Sequence, residues 1–340
     1  MRARKAAFGA AALGLLAILV YSAVWWIAAD RLRAGLHGWA AEMRGRGWQV
    51  VYEPVRIEGY PGPLVASVDA ASIAAPGWRW RGPRVTGRAW PWSPSRIAFS
   101  APGEHRIRAG GTDVAPFRVR AGVATGSLRR AAAETRIEFA LGDIEIRTPG
   151  RTRPRAVAGA EASIVLPDRP GRADAGRGPE PPGPTLALGL AGIEIAGSER
   201  RIDALSLAAK LIGPVPRAAK PRALARWRDG GGVVEIGEAA LRSGRARIDG
   251  SGTIALDREL QPIAAMSFRI DGREDLLRLL VALGAVKERN AGAIGLGLQL
   301  LARASEGRDG ATALPVTIQN RRLYFGPLSV MRLPRIDWDG

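Results

Sequence analysis

The chain has 340 residues, and its 50 Lys and Arg against 32 Asp and Glu give a formal net charge of +18. It contains no cysteine, which excludes disulfides, thiol nucleophiles and cysteine-ligated metal sites. No basic recognition helix or aromatic-rich RNA motif accompanies the charge, so the sequence favours an anionic lipid surface over nucleic acid as its partner.

The amino-terminal segment, residues 6–29, is an uncharged apolar run of about two dozen residues. As a helix rising ~1.5 Å per residue, it would cross a hydrocarbon core of ~30 Å. Basic residues precede the run: Arg2, Arg4 and Lys5. Aromatic residues lie near its far end: Tyr21, Trp25 and Trp26. Residues 1–29 are therefore predicted to be a single-pass anchor with a cytoplasmic amino terminus and the bulk of the chain across the membrane. The alternative interpretation is a cleaved signal peptide, for which small residues are poorly placed.

Helical spacing continues through residues 30–47, a predicted juxtamembrane helix that continues the anchor. Its apolar stripe consists of Leu32, Leu36, Trp39 and Met43. From residue 48 apolar and polar residues alternate, which predicts an amino-terminal β half over 48–167. The Gly- and Pro-rich residues 168–184 predict a flexible linker or loop. A carboxy-terminal β half follows over 185–340, with two or three helices, near residues 221–228, 274–286 and 293–304.

The spacing of the predicted strands decides the fold class. Short strands follow one another at hairpin distance, with no room for crossover helices, so the sheet should be antiparallel. The prediction is a mainly β fold, in which a transmembrane helix precedes an elongated, curved antiparallel sheet with a few short helices. One face of this groove or roll should be apolar and the other rich in Arg.

The sequence offers no catalytic or cofactor-binding constellation. The two histidines, His37 and His105, are far apart and lack metal-ligand spacing, and no nucleophile elbow accompanies either. Carboxylates cluster at the start of the helix predicted near residue 274, where they suit the helix dipole: Asp271, Glu274 and Asp275. The Gly250-Ser251-Gly252 segment lacks the third glycine of a dinucleotide loop. We therefore predict no enzyme activity, no cofactor and no metal site.

Several landmarks resemble an uncharacterised alphaproteobacterial membrane-anchored family of unknown function, domain-of-unknown-function family 2125. They are Trp25-Trp26, Gly59-Tyr60-Pro61, Trp90-Pro91-Trp92 with Pro94, Leu323 to Pro327, Leu333-Pro334 and Trp338. Residues 227–262 are more weakly similar to AsmA-like envelope proteins. One departure is the segment 319–322, where the family pattern leads us to expect an Asp-Gly-like turn. The resemblance implies an inner-membrane-anchored, β-rich periplasmic protein that handles or organises envelope lipids.

These features lead to a hypothesis of lipid binding or lipid transfer. A concave apolar face would accept acyl chains, and Arg-rich rims would hold phosphate headgroups of phospholipid or another envelope lipid. The candidate lipid-binding residues are Leu64, Val68, Val119, Ile137, Phe139, Leu188 and Leu190. Two alternatives stay open: a scaffold with a filled core and no ligand, and an envelope hydrolase.

Overall fold

The structure, a computed structural model, describes all residues except 1, 76, 110–116, 150–153, 169–182, 196, 214–219, 285, 290–291, 293–294, 297–311 and 339–340. Strands hold 54% of the chain, and every strand pairing in the described part is antiparallel, which confirms the mainly β, antiparallel fold class. Contacts divide the chain into two units, unit 1 (Met1–Arg129) and unit 2 (Arg130–Gly340).

Unit 1 begins with one continuous helix, α1 (Arg2–Gly45). Among the described residues this is the one helix long and apolar enough to span a membrane. The predicted anchor and juxtamembrane helix are therefore consecutive parts of α1. In the second part, Ala40 is fully buried while Trp39 is exposed, so the stripe facing the sheet runs through Ala40 instead of Trp39.

The carboxy-terminal end of α1 is closed by a glycine in the left-handed region. Gly47 has φ +86°, its N–H donates to the Arg44 carbonyl at 2.9 Å, and the Trp48 N–H donates to the Met43 carbonyl at 3.0 Å. These two bonds form a Schellman motif, which satisfies carbonyls that the ending helix leaves unpaired. The chain then turns directly into the sheet.

The sheet of unit 1 is built from short strands that join end to end. Its strands are β1 (Gln49–Val51), β2 (Arg56–Glu58), β3 (Leu64–Val68), β4 (Ser72–Ala75), β5 (Trp78–Arg81), β6 (Val85–Trp90), β7 (Ser93–Ser100), β8 (Gly103–Ala109) and β9 (Phe117–Arg130). β3 pairs with β2 and β6, β4 pairs with β1 and β5, and β9 pairs with both β7 and β8. The strands from β1 to β8 are thus halves of four longer strands interrupted in the middle.

The interruptions lie beside one another and are held by backbone and ionic contacts. The Asp69 carbonyl accepts from the Glu53 N–H at 3.1 Å, and the Asp69 carboxylate binds Arg84 at 2.7 Å and Arg56 at 3.4 Å. The next residue, Ala70, has φ +51°, a conformation that L residues with a Cβ rarely adopt. Asp69, in the break between β3 and β4, therefore contacts residues in the breaks of both neighbouring strands, Glu53 between β1 and β2 and Arg84 between β5 and β6.

Unit 2 is a simple antiparallel meander of longer strands, in which each strand pairs with the next. They are β10 (Glu134–Arg147), β11 (Arg155–Pro167), β12 (Thr185–Glu194), β13 (Arg201–Ile212), β14 (Val233–Ser243), β15 (Ala246–Leu256), β16 (Pro262–Asp271), β17 (Thr312–Gln319), β18 (Arg322–Phe325) and β19 (Leu328–Arg332). Because paired residues point to the same side of a sheet, the registers define one apolar face and one polar face.

Two helices interrupt the meander of unit 2, α2 (Pro221–Asp229) and α3 (Arg273–Ala282). Both coincide with predicted helices, although α3 ends earlier than expected because Gly284, at φ +73°, follows its cap. The helix predicted near 293–304 lies largely outside the described residues. Most of the predicted linker 168–184 also lies outside them.

The core of unit 2 forms where α3 covers the apolar face. Leu279 of α3 is 1% exposed and packs with Ile195 and Ile202. Leu276 and Ile270 are buried beside it in a second cluster with residues of β15 to β18. This end of the face is therefore filled by side chains.

Candidate lipid-binding site

The predicted lipid-binding residues of unit 1 take part in ordinary packing. Leu64 is buried against Trp25 and Ala29 of α1. Val68 is half-buried on β3, and Val119 is half-buried on β9 opposite His105. Leu64 therefore belongs to the interior of unit 1, while Val68 and Val119 are only partly buried.

The four predicted residues of unit 2 lie on one face and are brought together by β11. Phe139 on β10 pairs with Ala162, which pairs with Leu188 on β12. The rows on either side follow the same register: Ile137, Ile164 and Leu186 in one, and Leu141, Ala160 and Leu190 in the other. Ile137, Phe139, Leu188 and Leu190 therefore surround a common line along β11.

We call this line the β11 trough. Its floor consists of the small side chains of Ala160 and Ala162, and its walls are Phe139 and Leu141 on β10 and Leu188 and Leu190 on β12. Strands are spaced ~4.8 Å apart, so the walls stand roughly 10 Å from each other. A small residue between two large ones leaves space above the floor.

The walls of the β11 trough are more exposed than core positions. Phe139 is 40% exposed and Leu188 is 37% exposed, and Leu166, farther along β11 on the same face, is 41% exposed. Single exposed apolar residues are common, but a row of them on one face marks a candidate interaction surface. Sequence alternation identified Phe139, Leu188 and Leu190 of the walls but missed Leu141 and the floor. The floor was missed because alanines contrast little with their neighbours in hydropathy.

The opposite face of the same strands is polar. The neighbours of the trough residues point there, among them Glu138, Ser163 and Ala187. Farther along this face the Ser206 hydroxyl donates to Glu238 at 2.9 Å. A lipid chain would therefore find apolar side chains on only one side of β10 to β12.

The glycines of Gly250-Ser251-Gly252 serve packing on the apolar face of β15. A Cβ on Gly250 would approach the Phe268 ring to 2.3 Å, and one on Gly252 would approach the Met266 Cα to 2.6 Å. Both glycines thus let the large side chains of β16 lie across β15. The segment has strand geometry throughout, which differs from a phosphate-binding loop.

The histidines are engaged in local contacts. Nε2 of His105 donates to the Ala101 carbonyl at 2.9 Å, and its Nδ1 accepts from the Trp80 indole at 3.3 Å. Burial lowers the pKa of His105, against the opposing effect of the Ala101 carbonyl. His37 hydrogen-bonds the Tyr52 hydroxyl at 3.1 Å. Within the described residues, no group of three or more His, Asp or Glu is placed to hold a metal ion.

The carboxylates with a displaced pKa are shifted towards the charged form. Arg84 lowers the pKa of Asp69, Arg106 lowers that of Glu104, and the Gly244 N–H followed by Arg201 lowers that of Asp203. A general acid at neutral pH needs a raised pKa, so these carboxylates suit ion pairing instead. Asp275, in the predicted acidic cluster, binds Arg200 and Arg278, each at 3.3 Å.

Residues 25–334 match the model of a family described as an uncharacterized protein conserved in bacteria, DUF2125. The chain belongs to this family. The matched range includes Trp25-Trp26, the Gly59-Tyr60-Pro61 turn and Leu333-Pro334. No curated protein and no solved structure matches the chain. The family description assigns no activity, so function has to be argued from the side chains themselves.

Proposed function

We propose that this protein is a single-pass protein of the bacterial inner membrane whose β-rich part lies in the periplasm and binds the acyl chains of an envelope lipid in the β11 trough. The observation that carries the proposal is the exposed apolar row across β10 to β12, with Phe139 and Leu188 facing each other over Ala162. Lipid is the proposed ligand, and nucleic acid has no part in the proposal.

The anchor supports the membrane location. The first part of α1 leaves large apolar side chains exposed along its length, including Leu13, Leu16 and Leu19. Such a surface is stable in a hydrocarbon environment and costly in water. The basic residues before the apolar run favour a cytoplasmic amino terminus, and this orientation supports a periplasmic sheet.

The dimensions of the β11 trough support an acyl chain as the occupant. The floor is apolar and the walls stand roughly 10 Å apart, which leaves a strip wide enough for one extended hydrocarbon chain. Burial of apolar surface provides ~25 cal/mol per Å², or ~0.8 kcal/mol for each CH₂ group. Each CH₂ group that lies on this strip would therefore contribute to binding without a specific polar contact.

A scaffold without a ligand is the second candidate, and the region beneath α3 favours it. There Leu279, Ile270 and Leu314 are buried and the apolar face is filled from within the protein. The lipid-binding and scaffold functions therefore make different predictions only for the part of the apolar face across β10 to β12. An envelope hydrolase, the third alternative, has no specific observation in its favour among the described residues.

Lipid retained by the full-length protein tests the proposal. The protein is purified in detergent, and the phospholipid carried with each molecule is quantified by native mass spectrometry and by extraction. We expect Leu188→Glu to carry less of this lipid, because a carboxylate at the wall of the β11 trough would have to be desolvated by the acyl chain.

Ala187→Glu is the matched control. It introduces the same charge one residue away on the same strand, but on the polar face. Retained lipid in Ala187→Glu together with loss in Leu188→Glu supports the β11 trough. Equal lipid content in both variants and the parent protein would contradict lipid binding in the β11 trough and favour the scaffold function.

A further inference from the structure

A separate surface of unit 1 lies where two hairpin turns contact α1. The Gly59–Pro63 turn connects β2 and β3, and the Trp90–Trp92 segment connects β6 and β7. The Trp25 indole donates to the Gly62 carbonyl at 2.9 Å, and the Tyr21 hydroxyl donates to the Pro61 carbonyl. Ser22 and Tyr60 share a hydroxyl hydrogen bond of 2.7 Å. The first turn is thereby fixed to the end of the apolar run.

Aromatic rings extend this contact to the second turn. Trp92 lies 6.3 Å from Tyr21 between ring centroids, and Trp90 stacks on Trp92 at 4.7 Å. Trp92 is nevertheless 65% exposed and Trp26 is 59% exposed. Indole and phenol rings with an exposed apolar body and a polar tip prefer the boundary between hydrocarbon and water.

The depth of these turns follows from the length of the apolar run. Residues 6–29 span ~36 Å as a helix, against a hydrocarbon core of ~30 Å, so roughly 6 Å extends into the headgroup layer. Asp30 is the first charged residue after the run, and Tyr21 lies ~13 Å before it along the helix. If the hydrocarbon core begins at residue 6, it ends near Trp25, and Tyr21 lies ~6 Å inside it. A turn that contacts both residues is therefore at the boundary between the hydrocarbon and the headgroup layer.

Three arginines surround a cavity next to these turns. Arg88, Arg96 and Arg129 line a space of about 230 Å³ together with Trp90 and Ser127. Arg96 and Arg129 are directly opposite each other in the pairing of β7 with β9, an arrangement that is destabilising for like charges. A bound anion would relieve this repulsion.

The arginines of this cavity differ from other arginines of unit 1 in their ion pairing with carboxylates. Arg84 and Arg56 bind Asp69, and Arg106 binds Glu104. Within the described residues, Arg88, Arg96 and Arg129 form no ion pair with a carboxylate. On the side of Arg88 that faces β3, the first carboxylate in the same row is Glu58 of β2, two strands and therefore ~10 Å away.

We propose that Arg88, Arg96 and Arg129 form a binding site for the phosphate of an anionic phospholipid headgroup in the leaflet reached by the end of α1, with Trp90 and Trp92 in the interface beside it. Guanidinium groups bind phosphate oxygens through two parallel hydrogen bonds, which a cluster of three can provide several times over. This site goes beyond acyl-chain binding by the β11 trough. It rests on the membrane anchoring of α1 that the proposed function includes.

The full-length protein in detergent allows a direct test by native mass spectrometry. It is titrated with phosphatidylglycerol and with phosphatidylcholine carrying the same acyl chains. We expect one phosphatidylglycerol to bind more tightly than phosphatidylcholine. Replacing all three arginines, Arg88→Gln, Arg96→Gln and Arg129→Gln, should abolish that preference, with a loss of about fivefold for each cation and roughly 100-fold together.

A control variant carries the same loss of charge elsewhere in unit 1. Arg79, Arg81 and Arg118 are exposed strand residues, and their replacement by Gln also removes three positive charges. We expect this variant to keep the preference for phosphatidylglycerol. An equal loss in both triple variants would show a general effect of charge and overturn the proposal, as would a full preference in the Arg88, Arg96 and Arg129 variant.

Two further measurements complete the test, a competition with inorganic phosphate and a single-arginine variant. Inorganic phosphate at millimolar concentration should leave the bound phosphatidylglycerol in place; its displacement by inorganic phosphate would show a site for soluble phosphate instead of lipid. If the triple variant does not fold by circular dichroism, Arg96→Gln alone should weaken phosphatidylglycerol about fivefold, and no change would overturn the proposal. Leu188→Glu leaves this headgroup preference unchanged, so failure of the β11 trough and failure of this site give different results.

Discussion

The strands of units 1 and 2 show the same alternation of apolar and polar residues, but helices cover the apolar faces of the two units differently. In unit 1 the strands are interrupted, and Leu64 is buried against Trp25 and Ala29 of α1. In unit 2 the strands run for 10 to 14 residues from β10 to β13, and α3 covers only one end of the apolar face. Among the described residues no helix covers the apolar row across β10 to β12, and this difference is the basis of the proposed function.

The largest expected effect is in the covered part of unit 2. Leu279→Ala removes a side chain that is almost fully buried, so we expect the free energy of unfolding of unit 2 to fall by about 2–5 kcal/mol. Leu283→Ala, at the exposed cap of α3, should cost less than about 1 kcal/mol. Chemical denaturation followed by circular dichroism measures both. Equal losses would show that α3 does not cover the face as described.

The corresponding test in unit 1 concerns the contact between α1 and the Gly59–Pro63 turn. Trp25→Phe keeps an aromatic ring but removes the donor to the Gly62 carbonyl, so unit 1 should lose about 1–2 kcal/mol of stability. Trp26→Phe is the control because Trp26 is exposed. Thermal unfolding of the full-length protein in nanodiscs compares the two. A larger loss for Trp26→Phe would contradict the described packing of α1.

A stabilising substitution is expected at the hairpin between β17 and β18. Asn320 and Arg321 occupy the two turn positions with φ +50° and +58°, and arginine is unfavourable in that region. Arg321→Gly should therefore raise the stability of unit 2 by about 1 kcal/mol. Arg322→Gly, in the strand beside it, should instead lower stability. The shift in the denaturant midpoint of each variant shows whether its stability rises or falls. Destabilisation by Arg321→Gly would contradict the assigned turn.

The smallest effect concerns pH and unit 1. Burial holds the pKa of His105 below its ordinary value near 6.5, so protonation favours the unfolded chain. The contribution of neutral His105 to the free energy of unfolding of unit 1 is fully present above pH 6.5. It is lost as the pH falls below that value towards the lowered pKa. His105→Gln should reduce the slope of unit 1 stability between pH 7 and pH 5. An unchanged slope would show that His105 is as exposed in the folded protein as in the unfolded chain.

The regular features of unit 2 could be predicted from the sequence. Apolar and polar residues alternate along β10 and β12, and the acidic first turn of α3 marks its start. Residues 319–322 lack the glycine that is typical of a two-residue turn, so the sequence does not specify the turn between β17 and β18. The structure nevertheless forms a two-residue hairpin there, since pairing on both sides fixes the register.

Other features required tertiary information. β11 was not identified as a strand, because Ala160 and Ala162 contrast weakly with their neighbours, yet it provides the floor of the β11 trough. Leu64 follows the same alternation as Leu188, and only the position of α1 makes the first a core residue. The cavity of Arg88, Arg96 and Arg129 depends on pairing among three strands, which spacing along the chain does not show.

Site-specific photo-crosslinking tests the central claim most directly. The photoreactive amino acid benzoylphenylalanine is placed at Leu188 or at Ala187 of the full-length protein in bacterial membranes, and adducts are identified by mass spectrometry after irradiation. Our account predicts lipid adducts at Leu188, on the wall of the β11 trough, and none at Ala187 on the polar face. Equal lipid adducts at both positions, or none at Leu188, would contradict it.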